Sequence, residues 1–128
     1  MPISNIAFSR VKEYLDGIAD KANNDVETSP HGRFWRTSYK EFVDGVVPLV
    51  KCNGNPIPII DKGDPANSPL LLILTSADGW CGRAQMPDGG PVITDADYAI
   101  TLLDKTIVSG KQIQEDLTAW LKGGFPEL

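Results

Sequence analysis

Residues 63–91, GDPANSPLLLILTSADGWCGRAQMPDGGP, carry the strongest local signals in the chain. Asp64-Pro65 reads as an N-cap followed by a first-turn proline, where a missing N–H has no intrahelical partner to lose. Behind it Leu70 to Leu74 is apolar all round, which predicts a buried helix. Ser68-Pro69 offers a second start one turn later. Beyond the apolar block Gly and Pro accumulate, so residues 76–93 read as loop, with Met86 inside it.

Upstream, residues 4–23 place Ala7, Val11, Tyr14, Leu15, Ile18 and Ala22 on one face of an amphipathic helix. Ser4 is its N-cap, and Gly17 weakens it by up to about 1 kcal/mol relative to Ala. Residues 24–37 are loop, broken by Ser29-Pro30 and Gly32. Two aromatics, Phe34 and Trp35, lie in that loop between Arg33 and Arg36 and are expected to tuck into the core. Ser38 to Glu41 forms a capping box opening a short helix with Tyr39, Phe42 and Val43, closed by Gly45. Between 45 and 62, Val46-Val47 and Ile57 to Ile60 favour extended chain. Pro48, Pro56 and Pro58 exclude a central strand, and Asn53-Gly54-Asn55 marks a turn. The reading is extended loop, with a short hairpin as its alternative.

Downstream, Thr94 to Asp97 reads as another helix start. Ala96, Ala99, Ile100, Leu103 and Ile107 recur at i, i+3, i+4, i+7 and i+11, a helical stripe. Ser109 to Gln112 is a further box, opening a last helix with Ile113, Leu117, Trp120 and Leu121 on one face. Gly123-Gly124 stops it and Pro126 forbids continuation. The expected fold is a mainly α single domain over 1–128, a small bundle of four to five short helices joined by long Pro/Gly-rich loops.

A chain of 128 residues with 41% hydrophobic residues can build one core unaided. Its net charge of −5 argues against nucleic-acid or anionic-membrane binding. No apolar run approaches the roughly 18 residues of a membrane span. The start shows no basic segment followed by an apolar one, which fits a cytoplasmic chain, or a periplasmic one if a leader has been removed. Cys52 and Cys81 form no C-x-x-C, and with His31 the sole histidine they build no Cys/His zinc site. Reduced, part-buried thiols are slightly favoured over a disulfide, which an exported chain would allow.

The C-terminal half resembles the second half of small class I c-type cytochromes, notably those occurring as domains of larger bacterial enzymes. The resemblance rests on Gly63-Asp64-Pro65-Ala66-Asn67-Ser68, then Met86-Pro87-Asp88-Gly89, then Trp120-Leu121-Lys122-Gly123-Gly124, in that order. It implies a cytochrome c-like helical fold in which Met86 is the axial thioether ligand of haem iron. The C-x-x-C-H attachment motif is missing, and neither cysteine lies near His31 in sequence. The implied state is therefore a domain without covalent haem.

Each candidate has a plainer alternative. Met86 could ligate the iron of a non-covalent haem, or fill space in a proline-framed loop. His31 could be the opposite ligand, a general base or a solvated loop residue; no nucleophile motif accompanies it. Trp35 and Trp80 could wall a cofactor or partner groove, or fill the volume that haem occupies in the relatives. Asp61, Asp64, Asp88, Asp95 and Asp97 do not follow the calcium-loop pattern, and Asp64 and Asp97 read as helix-start residues. The sequence thus predicts a haem-free module, not an enzyme, that binds a protein or small molecule. The alternatives are a non-covalent haem protein for electron transfer using Met86 and His31, and a small enzyme using His31.

Overall fold

A computed structural model describes residues 7–21, 35–76, 79–81, 86 and 91–127. Ser4, the breakers at 29–32, Phe34 and Pro87 to Gly90 lie outside the described residues.

The amphipathic stripe near the N-terminus forms α1 (Phe8–Lys21), burying Phe8, Val11, Tyr14, Leu15, Ile18 and Ala19. Ser38 caps α2 (Tyr39–Asp44): its hydroxyl accepts from Glu41 N–H at 3.2 Å and donates to the Glu41 carboxylate at 2.9 Å. The first of these bonds is the cap half of a capping box; the second ties the carboxylate to the cap hydroxyl. The apolar block forms α3 (Pro69–Thr75), preceded by a separate 3₁₀ turn over Pro65–Asn67. Both helix-start signals are therefore used, Asp64 for the turn and Ser68 for the helix. The last box opens α4 (Gly110–Lys122), with Ser109 Oγ accepting from Gln112 N–H at 3.1 Å.

The expectation of a mainly α bundle is overturned. Among the described residues, four α-helices are joined by two antiparallel two-stranded sheets, so the fold is mixed α and β. The first sheet pairs β1 (Val46–Cys52) with β2 (Asn55–Pro58) in the register Lys51 to Pro56 and Cys52 to Asn55. Asn53 (φ 52°) and Gly54 (φ 81°) make the two-residue turn, the left-handed pair that matches strand twist. The prolines exclude only a central strand. In a two-stranded hairpin every strand has a free edge, and proline is tolerated there.

The second sheet replaces the helix expected from residue 94. β3 (Ala99–Thr101) pairs with β4 (Ile107–Ser109), Ile100 opposite Val108. Burial alternates along Tyr98, Ile100 and Leu102, and the supposed stripe is dispersed: Leu103 is 95% and Ile107 72% exposed. The turn carries Lys105 at φ 72°, with Leu102 N–H bonded to Thr106 O at 2.8 Å. A left-handed residue there ends any helix.

The core lies where α1, α2, α3, both hairpins and α4 converge. Val11, Phe42, Ile113, Leu117, Trp120 and Leu121 are fully buried. An aromatic cluster links chain ends: Phe8 to Phe42 at 5.1 Å between ring centres, Phe42 to Trp120 at 6.5 Å, and Trp120 to Phe125 at 6.2 Å. The tail after α4 folds back, with Tyr39 Oη donating to Phe125 O at 2.7 Å and Trp120 Nε1 to Pro126 O at 2.9 Å. Each such aromatic buries on the order of 150–250 Å², so this cluster dominates the packing energy. Gly17, which only weakens a helix in isolation, sits where α1 crosses β3. A Cβ there would lie 2.7 Å from the Ile100 side chain.

The slight preference for free thiols is also corrected. Cys52 at the end of β1 is joined to Cys81 by a disulfide, with Cα atoms 5.9 Å apart. It ties the first hairpin to the chain beyond α3. Among the described residues no helix is long and apolar enough to cross a membrane.

Candidate functional site

The residues singled out from sequence occupy separate supports. Trp35 is buried, and its indole N–H donates to Asp16 Oδ1 of α1 at 2.9 Å. Arg36 Nε donates to the same oxygen at 3.1 Å, so Trp35 and Arg36 clasp one carboxylate. Met86 is half-buried and packs against the core; its N–H donates to Ile73 O at 2.9 Å, docking this residue on α3. Trp80 is half-buried beside the disulfide-bonded Cys81. His31 lies outside the described residues. Among the described residues no three His, Cys, Asp or Glu side chains are placed to hold a metal ion.

A different set of residues converges. An open groove of about 600 Å³ lies against the second hairpin, lined by Thr106, Ile107, Val108 and Ser109 and, on β3, by Ala99. Arg10 and Tyr14 from α1 and Gln112 and Asp116 from α4 also face it. Helical spacing explains the placement, because residues four apart share a face: Arg10 with Tyr14, and Gln112 with Asp116. Tyr14 Oη donates to Asp116 Oδ2 at 2.5 Å, and Gln112 Nε2 donates to Asp116 Oδ1 at 2.7 Å. Asp116 is thus held from both sides, and two helices 102 residues apart in sequence are stitched together.

Burial, and then the hydrogen bond to Asp116, pushes the Tyr14 hydroxyl well above the ordinary tyrosine range, so it stays a donor. Arg10 closes the other side with ion pairs to Glu13 at 3.5 Å and Asp104 at 3.8 Å. Its Nη1 is buried without a hydrogen bond among the described residues. The Thr106 hydroxyl and N–H hold the Asp104 carboxyl below its usual range. Within the lining the charges of Arg10 and Asp116 cancel. Ser109 and Gln112 retain hydrogen-bonding capacity, since a hydroxyl that accepts can still donate and an amide that donates can still accept. Such a wall suits a neutral ligand with its own donors and acceptors. One lining side chain, Ile107, is a large apolar group left 72% exposed.

None of these groove residues was read from the sequence as a functional candidate. Tyr14 reads as one more member of an apolar stripe. The available signal was its polar tip, which needs a partner once the ring is buried. Asp116 carries no local signal, because its partner comes from the opposite end of the chain.

Comparison of the chain with family models, with curated proteins and with solved structures finds no match in any of the three.

Proposed function

We propose that this chain is a haem-free, disulfide-braced binding module that takes its ligand in the groove beside β4. The observation that carries the reading is the groove itself: a charge-balanced polar wall, fixed by the Tyr14–Asp116–Gln112 bonds, with the exposed Ile107 in its lining. A pre-formed wall beside exposed apolar side chains is how binding surfaces keep orientation specific while gaining from apolar burial. The haem-free part draws support from Met86, whose side chain packs on the core. The Cys52–Cys81 bond favours an oxidising compartment as the place of work.

Two experiments test the reading. Hemin added to the purified protein should produce no Soret band; a band that shifts in a Met86→Ala protein overturns the haem-free part. Selection from a displayed library of random cysteine-free heptapeptides should give binders that lose affinity at least ten-fold on Ile107→Glu. Binders indifferent to that change, or none at all, would sink the groove as the binding place.

A further inference from the structure

The geometry points to an extended peptide segment of a partner protein as the occupant of this groove, added as a third strand along the free edge of β4. This rests on the binding-module reading and names the partner it fits.

The argument starts from the hydrogen-bond register. Gly110 N–H donates to Tyr98 O at 2.9 Å, and Leu102 N–H donates to Thr106 O at 2.8 Å. Those two pairs bracket the ladder, in which Ile100 faces Val108. In an antiparallel ladder, inward-bonded pairs alternate with pairs whose N–H and C=O groups point away. Ile100 and Val108 are therefore inward-bonded. Ile107 turns its N–H and C=O outward, and Ser109 turns its N–H outward, along the far edge of β4. Among the described residues the sheet has these two strands alone, and no third strand covers that edge. All four residues from Thr106 to Ser109 line the groove.

A row of donor, acceptor, donor at strand spacing is complementary to one thing above all, the main chain of another extended segment. A peptide laid there receives the Ile107 and Ser109 N–H groups on its carbonyls and donates one N–H to Ile107 O. Its side chains then alternate. One set lies on the face of the exposed Ile107, which favours apolar or β-branched residues at every second position. The other set meets Gln112, Asp116 and Arg10, where the cancelled charge favours neutral polar residues.

The heptapeptides selected above provide the probe. Methylating their backbone nitrogens one at a time should weaken binding at least ten-fold at the nitrogen that meets Ile107 O. Methylation of the two neighbouring nitrogens, which point away from β4, should change it less than three-fold. On the protein side, Ile107→Pro removes one outward N–H and no ladder bond, and should weaken the same peptides at least ten-fold. Hydrogen exchange on the unsubstituted protein covers the case in which that variant misfolds: the Ile107 and Ser109 amides should exchange freely alone and become protected when peptide is added. Peptides that bind in the groove yet tolerate methylation everywhere, or leave both amides exchanging, overturn strand addition while leaving the module reading intact. Peptides indifferent to Ile107→Glu overturn the module reading itself.

Discussion

Tyr14 and Tyr98 both carry a hydroxyl into the interior, and the surroundings treat the two differently. Tyr14 donates to Asp116 at 2.5 Å. Tyr98 is 4% exposed, and its Oη has no hydrogen-bond partner among the described residues. Removing one partner of a charged hydrogen bond costs about 1–3 kcal/mol, whereas removing an unsatisfied buried hydroxyl removes a penalty. Urea unfolding at pH 7 should therefore show Tyr14→Phe destabilised by about 1–3 kcal/mol, and Tyr98→Phe unchanged or up to about 1 kcal/mol more stable. A destabilised Tyr98→Phe would mean that the hydroxyl has a partner after all. The alkaline limb separates them further. Burial pushes Tyr98 from 10.0 up to about 12, so the folded state holds it neutral while the unfolded chain ionises. A group with a raised folded pKa contributes fully below the unfolded value and loses that contribution as pH rises toward the folded one. Stability of the unsubstituted protein should fall between about pH 10 and 12. The Tyr98→Phe protein should fall less steeply over the same window, by a difference on the order of 2 kcal/mol.

At the scale of elements, the β3–β4 hairpin is where sequence and structure part, and its turn offers a clean perturbation. Lys105 holds φ 72°, a conformation that a side chain disfavours by about 1–2 kcal/mol and glycine does not. Lys105→Gly should stabilise the domain by about 1 kcal/mol, the gain being reduced by glycine's larger unfolded entropy. Equal denaturation midpoints for the two proteins would show that the turn is not left-handed in solution. The misreading of this element has a physical cause. Ala96, Ala99, Ile100, Leu103 and Ile107 match a 3.6-residue period, while Tyr98, Ile100 and Leu102 match a period of two, and a short segment fits both. The β-branched Thr101, Thr106, Ile107 and Val108 favour the strand reading. Elements set by local chemistry were legible: Ser38 and Ser109 cap their helices, Val11, Tyr14, Leu15 and Ile18 of the α1 stripe are buried, and Gly123-Gly124 stops α4. In detail α1 buries Phe8 and Ala19 rather than Ala7, and the Gln112 side chain turns to Asp116 instead of back to Ser109. The β1–β2 hairpin was only half legible, because three prolines argue against strands in general and say nothing about a sheet with no central strand. The groove was not legible at all. It depends on Tyr14 meeting Asp116 across 102 residues, and no local pattern encodes that meeting.

For the molecule as a whole, the Cys52–Cys81 link adds a covalent tie to the non-covalent ones that hold the first hairpin to the body. Ile57, Ile59 and Ile60 are buried, and Leu70 N–H donates to Ile59 O at 3.2 Å. β1 itself has Val46 about half exposed and, among the described residues, pairs with β2 alone. The Cys52–Cys81 bond closes a separation of 29 residues, which restricts the unfolded chain far more than the folded one. Loop-closure entropy for that length corresponds to about 3–4 kcal/mol. Reduction should therefore lower Tm by roughly 10–20 °C for a domain of this size. Scanning calorimetry with and without a phosphine reductant measures it. A Cys52→Ser/Cys81→Ser protein should melt with the reduced form and show no response to the reductant. If the double variant instead melts with the oxidised protein, the chain is held by its aromatic core alone and the link contributes nothing. A reductant response in the double variant would point to an effect outside this bond. The size of the drop also bears on where the module can work. A domain that loses most of a typical stability of about 5–15 kcal/mol on reduction depends on an oxidising environment to stay folded. One that loses little can bind its peptide in either compartment.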